Sequence, residues 1–149
     1  MPKLDISMTA EEIDEFLSQQ HTVRLATADA EGAPHVVPLW FIWHEGAMFL
    51  NSTLGNVTVE NMLRSGLATG VVDVGETYDE LRGVTVASEV ERLGDDAPEE
   101  VERAWSQKYL GGSEPPYRRW KNRSWFRLAP RSIASWDFRK IPEARSGRG

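Results

Sequence analysis

The chain contains no cysteine. That excludes disulfides, thiolate metal sites and cysteine nucleophiles. Histidine is scarce, at three residues, and no His-x-x-His spacing occurs, so no metal site is expected. Nowhere do 18 apolar residues run together, and no basic stretch followed by an apolar one stands near Met1. Neither a membrane span nor an N-terminal secretion signal is expected, which makes the cytoplasm the expected location. The glycine-rich phosphate loop, the dinucleotide fingerprint and a serine–histidine–acid triad are missing as well. Positive charge is thin over most of the length: up to Tyr117 there are 7 basic residues against 21 acidic ones, with none between Arg24 and Arg64.

After Tyr117 the balance reverses, to 10 basic residues against Asp137 and Glu143. An acidic body with a net charge of -6 argues against wholesale nucleic-acid binding, which favours a basic domain. Trp120 and Trp125 do interleave with Arg118, Arg119, Lys121 and Arg123, a stacking-and-charge pattern, but only over one short segment, so no nucleic-acid partner is expected. The basic quarter suits an anionic ligand, a contact with an acidic surface of a second subunit, or plain solvation. With 149 residues and no linker or repeat, one domain is expected, its core running over about 8–140 and a flexible basic tail over 141–149.

Local signals give the elements. Ser7 or Thr9 caps a short amphipathic helix, with Glu12 three residues after Thr9 as in a capping box. Thr22 to Ala28, His35 to Trp43 and Ala47 to Ser52 read as three strands joined by tight turns. Asn56 caps a helix from Val57 to Ser65 that Gly66 ends. LATGVVDV and LRGVTVASEVERL read as strands, DDAPEEVERAWSQKYLGG as a helix with Val101, Ala104, Trp105 and Tyr109 on one face, and WFRLAPRSIASWDFRK as a final strand. The chain is therefore expected to be mainly β with short peripheral helices, about six antiparallel strands closing into a small barrel.

LAT-x4-G-x-PH-x2-P-x-WF, followed by a short helix with Asn61 and by TYD-x-LRGV, resembles the pyridoxamine 5'-phosphate oxidase-like split β-barrel proteins. TYDELRGV and the closing SWDFRK make it similar, more narrowly, to their actinobacterial branch that uses the deazaflavin coenzyme F420. The similarity runs from about Met8 to Lys140. It implies a six-stranded split barrel, a homodimer and two cofactor clefts at the subunit interface. It further implies a flavin-like ring along Val36, Val37, Pro38, Leu39 and Trp40, with a phosphate held near Asn51, Ser52, Thr53, Thr58 and Asn61. Coenzyme F420 is the implied cofactor, with FMN second and no cofactor a further alternative.

Where relatives commonly carry a Lys, this chain has Thr58. Helix-opening N–H groups and neutral hydroxyls can still cradle a phosphate. Arg64, or an arginine from the basic quarter of a partner subunit, is the expected source of charge. Tyr78 and His35 are the candidate proton donors to a substrate oxygen. The expected activity is reduction of an activated alkene or similar small organic substrate. The alternative is a binding protein or non-redox enzyme whose cleft has given up its cofactor and holds an apolar molecule between tryptophans; haem or tetrapyrrole binding remains behind both.

Overall fold

A computed structural model describes residues 4–114 and 121–141. Thr9 caps α1 (Ala10–Gln19) in a full capping box, its side chain accepting from the Glu12 N–H while Glu12 reaches back to the Thr9 N–H. Seven antiparallel strands follow: β1 (Thr22–Ala28), β2 (Pro34–Trp40), β3 (Ile42–His44), β4 (Ala47–Thr53), β5 (Leu67–Val74), β6 (Arg82–Gly94) and β7 (Arg123–Asp137). Between them lie α2 (Val57–Ser65), capped by Asn56 and ended by Gly66 in the left-handed conformation, and α3 (Glu99–Tyr109), which begins after Pro98. The basic cluster of Arg118, Arg119 and Trp120, and the expected tail beyond Ile141, lie outside the described residues.

The strands form one sheet in the order β2-β1-β5-β6-β7-β4-β3. The expected strand count of six is corrected to seven. The predicted second strand, His35 to Trp43, changes partner at Phe41: Trp40 pairs with Thr22 of β1, whereas Ile42 pairs with Phe49 of β4. Side-chain alternation continues through the change, with Trp40 and Ile42 on the outside and Phe41 and Trp43 inside. The two edges of the sheet are thus consecutive in the chain with one residue between them. The sheet curls until its edges meet, but among the described residues no ladder of hydrogen bonds closes it. This is a split barrel.

Phe16, Leu17, Leu25, Phe41, Leu50, Val59, Met62, Val86, Phe126 and Leu128 fill the inside. Outside, α3 lays Val101 and Trp105 over Ile42, Phe49 and Trp125, a second cluster that leaves all of β4 but Thr53 buried. Six of the seven β4 residues are enclosed because the strand faces the barrel on one side and α3 on the other.

Candidate functional site

β4 and β7 position the corner that follows β4. In their ladder Asn51 faces Trp125, Ser52 faces Ser124 and Thr53 faces Arg123. Residues two apart on a strand share a face, so Arg123 stands beside both Thr53 and Asn51. Its guanidinium donates to the Asn51 side-chain oxygen (2.7 Å), to the Asn51 carbonyl (3.1 Å) and to the Thr53 hydroxyl (3.1 Å). Asn56 turns the chain into α2: its side-chain oxygen accepts from the Val59 N–H at 2.8 Å, and its amide donates to Ser52 Oγ at 3.2 Å. The helix ladder begins at the Glu60 N–H on the Asn56 carbonyl. The N–H groups of Val57 and Thr58 therefore fall outside the helix's own bonds. The end of β4 thus carries Arg123 and the Thr53 hydroxyl on one face and Ser52 with the opening N–H groups of α2 on the other, donor types suited to an oxyanion.

Thr58 and Asn61 sit on the inner side of α2, only 3% and 4% exposed, and the Asn61 amide donates to Thr27 Oγ1 at 3.1 Å. Arg64 lies in the last turn of the same helix, on the far side from the corner, with its guanidinium on the Ala28 carbonyl. Positive charge reaches the corner from β7 of the same chain. An arginine of the basic quarter was expected to bring this charge from a partner subunit; that Arg123 stands there from the same chain follows only from the β4–β7 register.

β2 is an edge strand, paired on one side to β1 alone. Pro38, which has no N–H, suits that edge. Val36, Pro38 and Trp40 point outward and are exposed, Val36 at 60% and Trp40 at 47%, while Val37 and Leu39 are half-buried toward the barrel. One face of Trp40 is covered by Tyr109, the rings stacked at 4.4 Å and 10°, and Trp105 meets Trp40 edge-on at 6.0 Å. What exposure the indole keeps belongs to its other face and its rim.

Tyr109 also completes the backbone at the partner change. The Phe41 N–H donates to its hydroxyl at 3.0 Å, and that hydroxyl reaches the carbonyls of Phe41 (2.6 Å) and His21 (2.7 Å). Between two strand partners the Phe41 peptide has no ladder bond of its own, and the phenol supplies both halves. Burial pushes the Tyr109 phenol up to about 12, partly opposed by its hydrogen bond with Phe41. Its i+4 spacing from Trp105 marked it as a packing residue, but nothing local signalled the hydroxyl's task.

The two candidate proton donors are not brought together. His35 pairs with Thr27 near one end of β1, whereas Tyr78 lies on the turn after Val74, past the other end of the sheet. From the register they are separated by about six residues of strand, roughly 20 Å. The Tyr78 ring leans on Phe138 at 4.9 Å and is otherwise exposed. Among the described residues, no three His, Asp or Glu side chains gather as a metal site would require, and no helix is long and apolar enough to cross a membrane.

Comparison with known proteins bears on this arrangement. A family model described as pyridoxamine 5'-phosphate oxidase matches residues 9–137. Among solved structures, a conserved hypothetical protein from Mycobacterium tuberculosis is 28% identical, with a TM-score of 0.80 over 95% of this chain and 92% of that one. A FAD-binding protein from Mesorhizobium loti is 23% identical, with a TM-score of 0.68 over 87% of this chain and 93% of that one. An F420 reductase is 20% identical, with a TM-score of 0.64 over 80% of this chain and 94% of that one. No curated protein matches in sequence.

Proposed function

Because the chain belongs to the pyridoxamine 5'-phosphate oxidase family, we propose that it is an oxidoreductase working with a flavin-type coenzyme, the deazaflavin F420 rather than FMN. The observation that carries this reading is Arg123 on Asn51 and Thr53. It brings to the corner the cation that the first turn of α2 lacks, so the residues present fit a phosphate. Arg123, Ser52, Thr53 and the opening N–H groups of α2 hold the anionic end. Asn51, Thr58 and Asn61 stiffen the corner from behind. The flat ring lies along Val36 to Trp40, and the choice of F420 rests on TYDELRGV and SWDFRK. FAD- and F420-named neighbours on the same fold support the class of ligand.

When bound, the ring supplies hydride chemistry; the protein supplies orientation, exclusion of water and a hydrogen bond to the substrate oxygen. The substrate is an activated alkene or similar electrophilic carbon, in a cleft shared by two copies of the chain. Given their separation, either His35 or Tyr78 of one chain serves a given cleft, not both.

A second reading is a binding protein or non-redox enzyme without a coenzyme. It is favoured by the way the corner's polar groups already satisfy one another, Ser52 with Asn56 and Asn61 with Thr27.

Titration of the purified protein with oxidised F420, FMN and FAD, followed by quenching of its six tryptophans, separates the two. The expected result is low-micromolar binding of F420 that weakens with salt. Arg123→Met is expected to weaken it by about ten- to a hundred-fold, the worth of one charge-assisted bond of roughly 1.5 to 3 kcal/mol. Arg64→Ala is expected to change it by less than about three-fold, a difference under 1 kcal/mol. No saturable quenching by any of the three up to about millimolar overturns the oxidoreductase and leaves the second reading.

A further inference from the structure

Lys108 lies in the last turn of α3, immediately before the tyrosine that completes the Phe41 peptide. Its ammonium is 4.7 Å from the centre of the Phe41 ring and 5.5 Å from that of Tyr109. No hydrogen bond or ion pair joins it to a described residue. Beside it opens a pocket of about 350 Å³ between α1, β3 and α3, walled by Ser18, Ile42, Trp43, Ala104 and Gln107. The Trp43 indole N–H is committed to Asp14 at 2.8 Å, and Trp43 is the aromatic residue of the lining.

We propose that this pocket is a second small-molecule site, distinct from the coenzyme corner, in which Lys108 captures an apolar or aromatic aldehyde as an imine. The amine nitrogen adds to the carbonyl carbon to form a carbinolamine, and loss of water leaves a C=N bond. The aldehyde oxygen departs in that water and nothing is oxidised or reduced. The chemistry fits the walls: Ile42, Trp43 and Ala104 accept an apolar body, and Lys108 is the one cation in the lining. An anionic product such as a carbamate would lack a counter-charge there.

The step needs a neutral amine, and burial draws the Lys108 ammonium down to about 8. At pH 7 about one molecule in ten then carries the free amine, against about one in 2,500 for an ordinary lysine near 10.4. The charged groups on the packed elements include Asp14 and Glu15 on α1, His44 on β3 and Glu102 and Arg103 on α3. Asp14 is bonded to Trp43 and Arg103 to Glu99, and desolvation is the cause that sets the Lys108 value.

The test is reductive trapping. The protein is treated with benzaldehyde and cyanoborohydride from pH 6 to 10, and the four lysines, Lys3, Lys108, Lys121 and Lys140, are compared by peptide mass. Lys108 is expected to be labelled at least about ten-fold faster than Lys121 and Lys140 at pH 7, a part of its advantage in free amine. The ratio should shrink toward unity as pH approaches 10. In Ala104→Leu, which narrows the pocket one turn before Lys108, benzaldehyde should slow while formaldehyde does not. Labelling of Lys108 at the rate of the other lysines overturns the proposal, and so does an equal effect of Ala104→Leu on both aldehydes.

Discussion

Trp40 and Tyr109 stack 4.4 Å apart, and the same tyrosine bonds both the N–H and the carbonyl of Phe41, the residue that follows Trp40. One side chain of α3 thus covers the outer face of β2's last residue and holds the point at which the strand changes partner. Tyr109→Phe keeps the stack and removes the hydroxyl. The Phe41 peptide is then left short of partners, and the expected loss is about 1 to 3 kcal/mol. Urea unfolding would measure it. A loss below about 0.5 kcal/mol, the low end for a single hydrogen bond, would mean that water replaces the phenol.

Two neighbours on α3 titrate in opposite senses. The folded value of Lys108 is about 8, below its ordinary 10.5, so between those limits the unfolded chain holds more protons and stability rises with pH. The folded value of Tyr109 is about 12, above its ordinary 10.0, so above pH 10 the folded chain holds the proton and stability falls. Their combined contribution should peak near pH 10. Lys108→Met should flatten the rising limb and Tyr109→Phe the falling one, each read from chemical unfolding at fixed temperature against wild type.

Asp137 ends β7 at 2% exposure and accepts from Arg139 three times: from its backbone N–H (3.0 Å), Nε (2.9 Å) and Nη2 (2.7 Å). The Arg139 guanidinium beside it holds the Asp137 carboxyl below the usual carboxylate range, against the opposing effect of burial. A lowered folded value adds stability above the ordinary carboxylate range that is lost as pH falls through the folded value. Asp137→Asn should therefore cost about 1 to 3 kcal/mol at pH 7. The gap to wild type should narrow on acidification, which thermal unfolding from pH 7 down to 3 would follow.

Gly83 explains one letter of the LRGV stretch. A Cβ there would stand 2.6 Å from Trp136 Cζ2 and 2.8 Å from the Val72 carbonyl oxygen, which belongs to the neighbouring strand. The carbonyl cannot move without breaking the β5–β6 ladder. Gly83→Ala is expected to destabilise by about 1 to 3 kcal/mol, the range for overpacking. A neutral result in thermal unfolding would show that both Trp136 and the Val72 carbonyl give way without loss of the ladder.

What was legible in the sequence was local. Thr9 with Glu12, and Asn56 with Gly66, mark the ends of their helices by chemistry confined to a few residues, and alternation marked most strands. The partner change at Phe41 was not legible, because Trp40 to Trp43 is an unbroken apolar run with no glycine or proline to punctuate it. An arginine of the basic quarter was expected at the corner, but that it is Arg123 of the same chain was not legible. Arg123 meets Asn51 only through a ladder joining positions 72 residues apart, and one sequence does not carry that register.

The place of β7 has a consequence for how the protein is made. β7 lies between β6 and β4, so the last of the described strands to be synthesised is an interior strand of the sheet. On the ribosome, β1, β2, β5 and β6 can pair as they emerge, but β4 has only the short β3 beside it until β7 arrives. The loop from β4 to β7 is long, and closing it costs entropy before any contact rewards it. β3 and β4 therefore wait, with the apolar side chains of β4 uncovered, until β7 has been made. A nascent chain stalled in the α3 region should be a substrate for chaperones, and a pause placed there should lower the yield of folded protein more than one placed within β1 or β2.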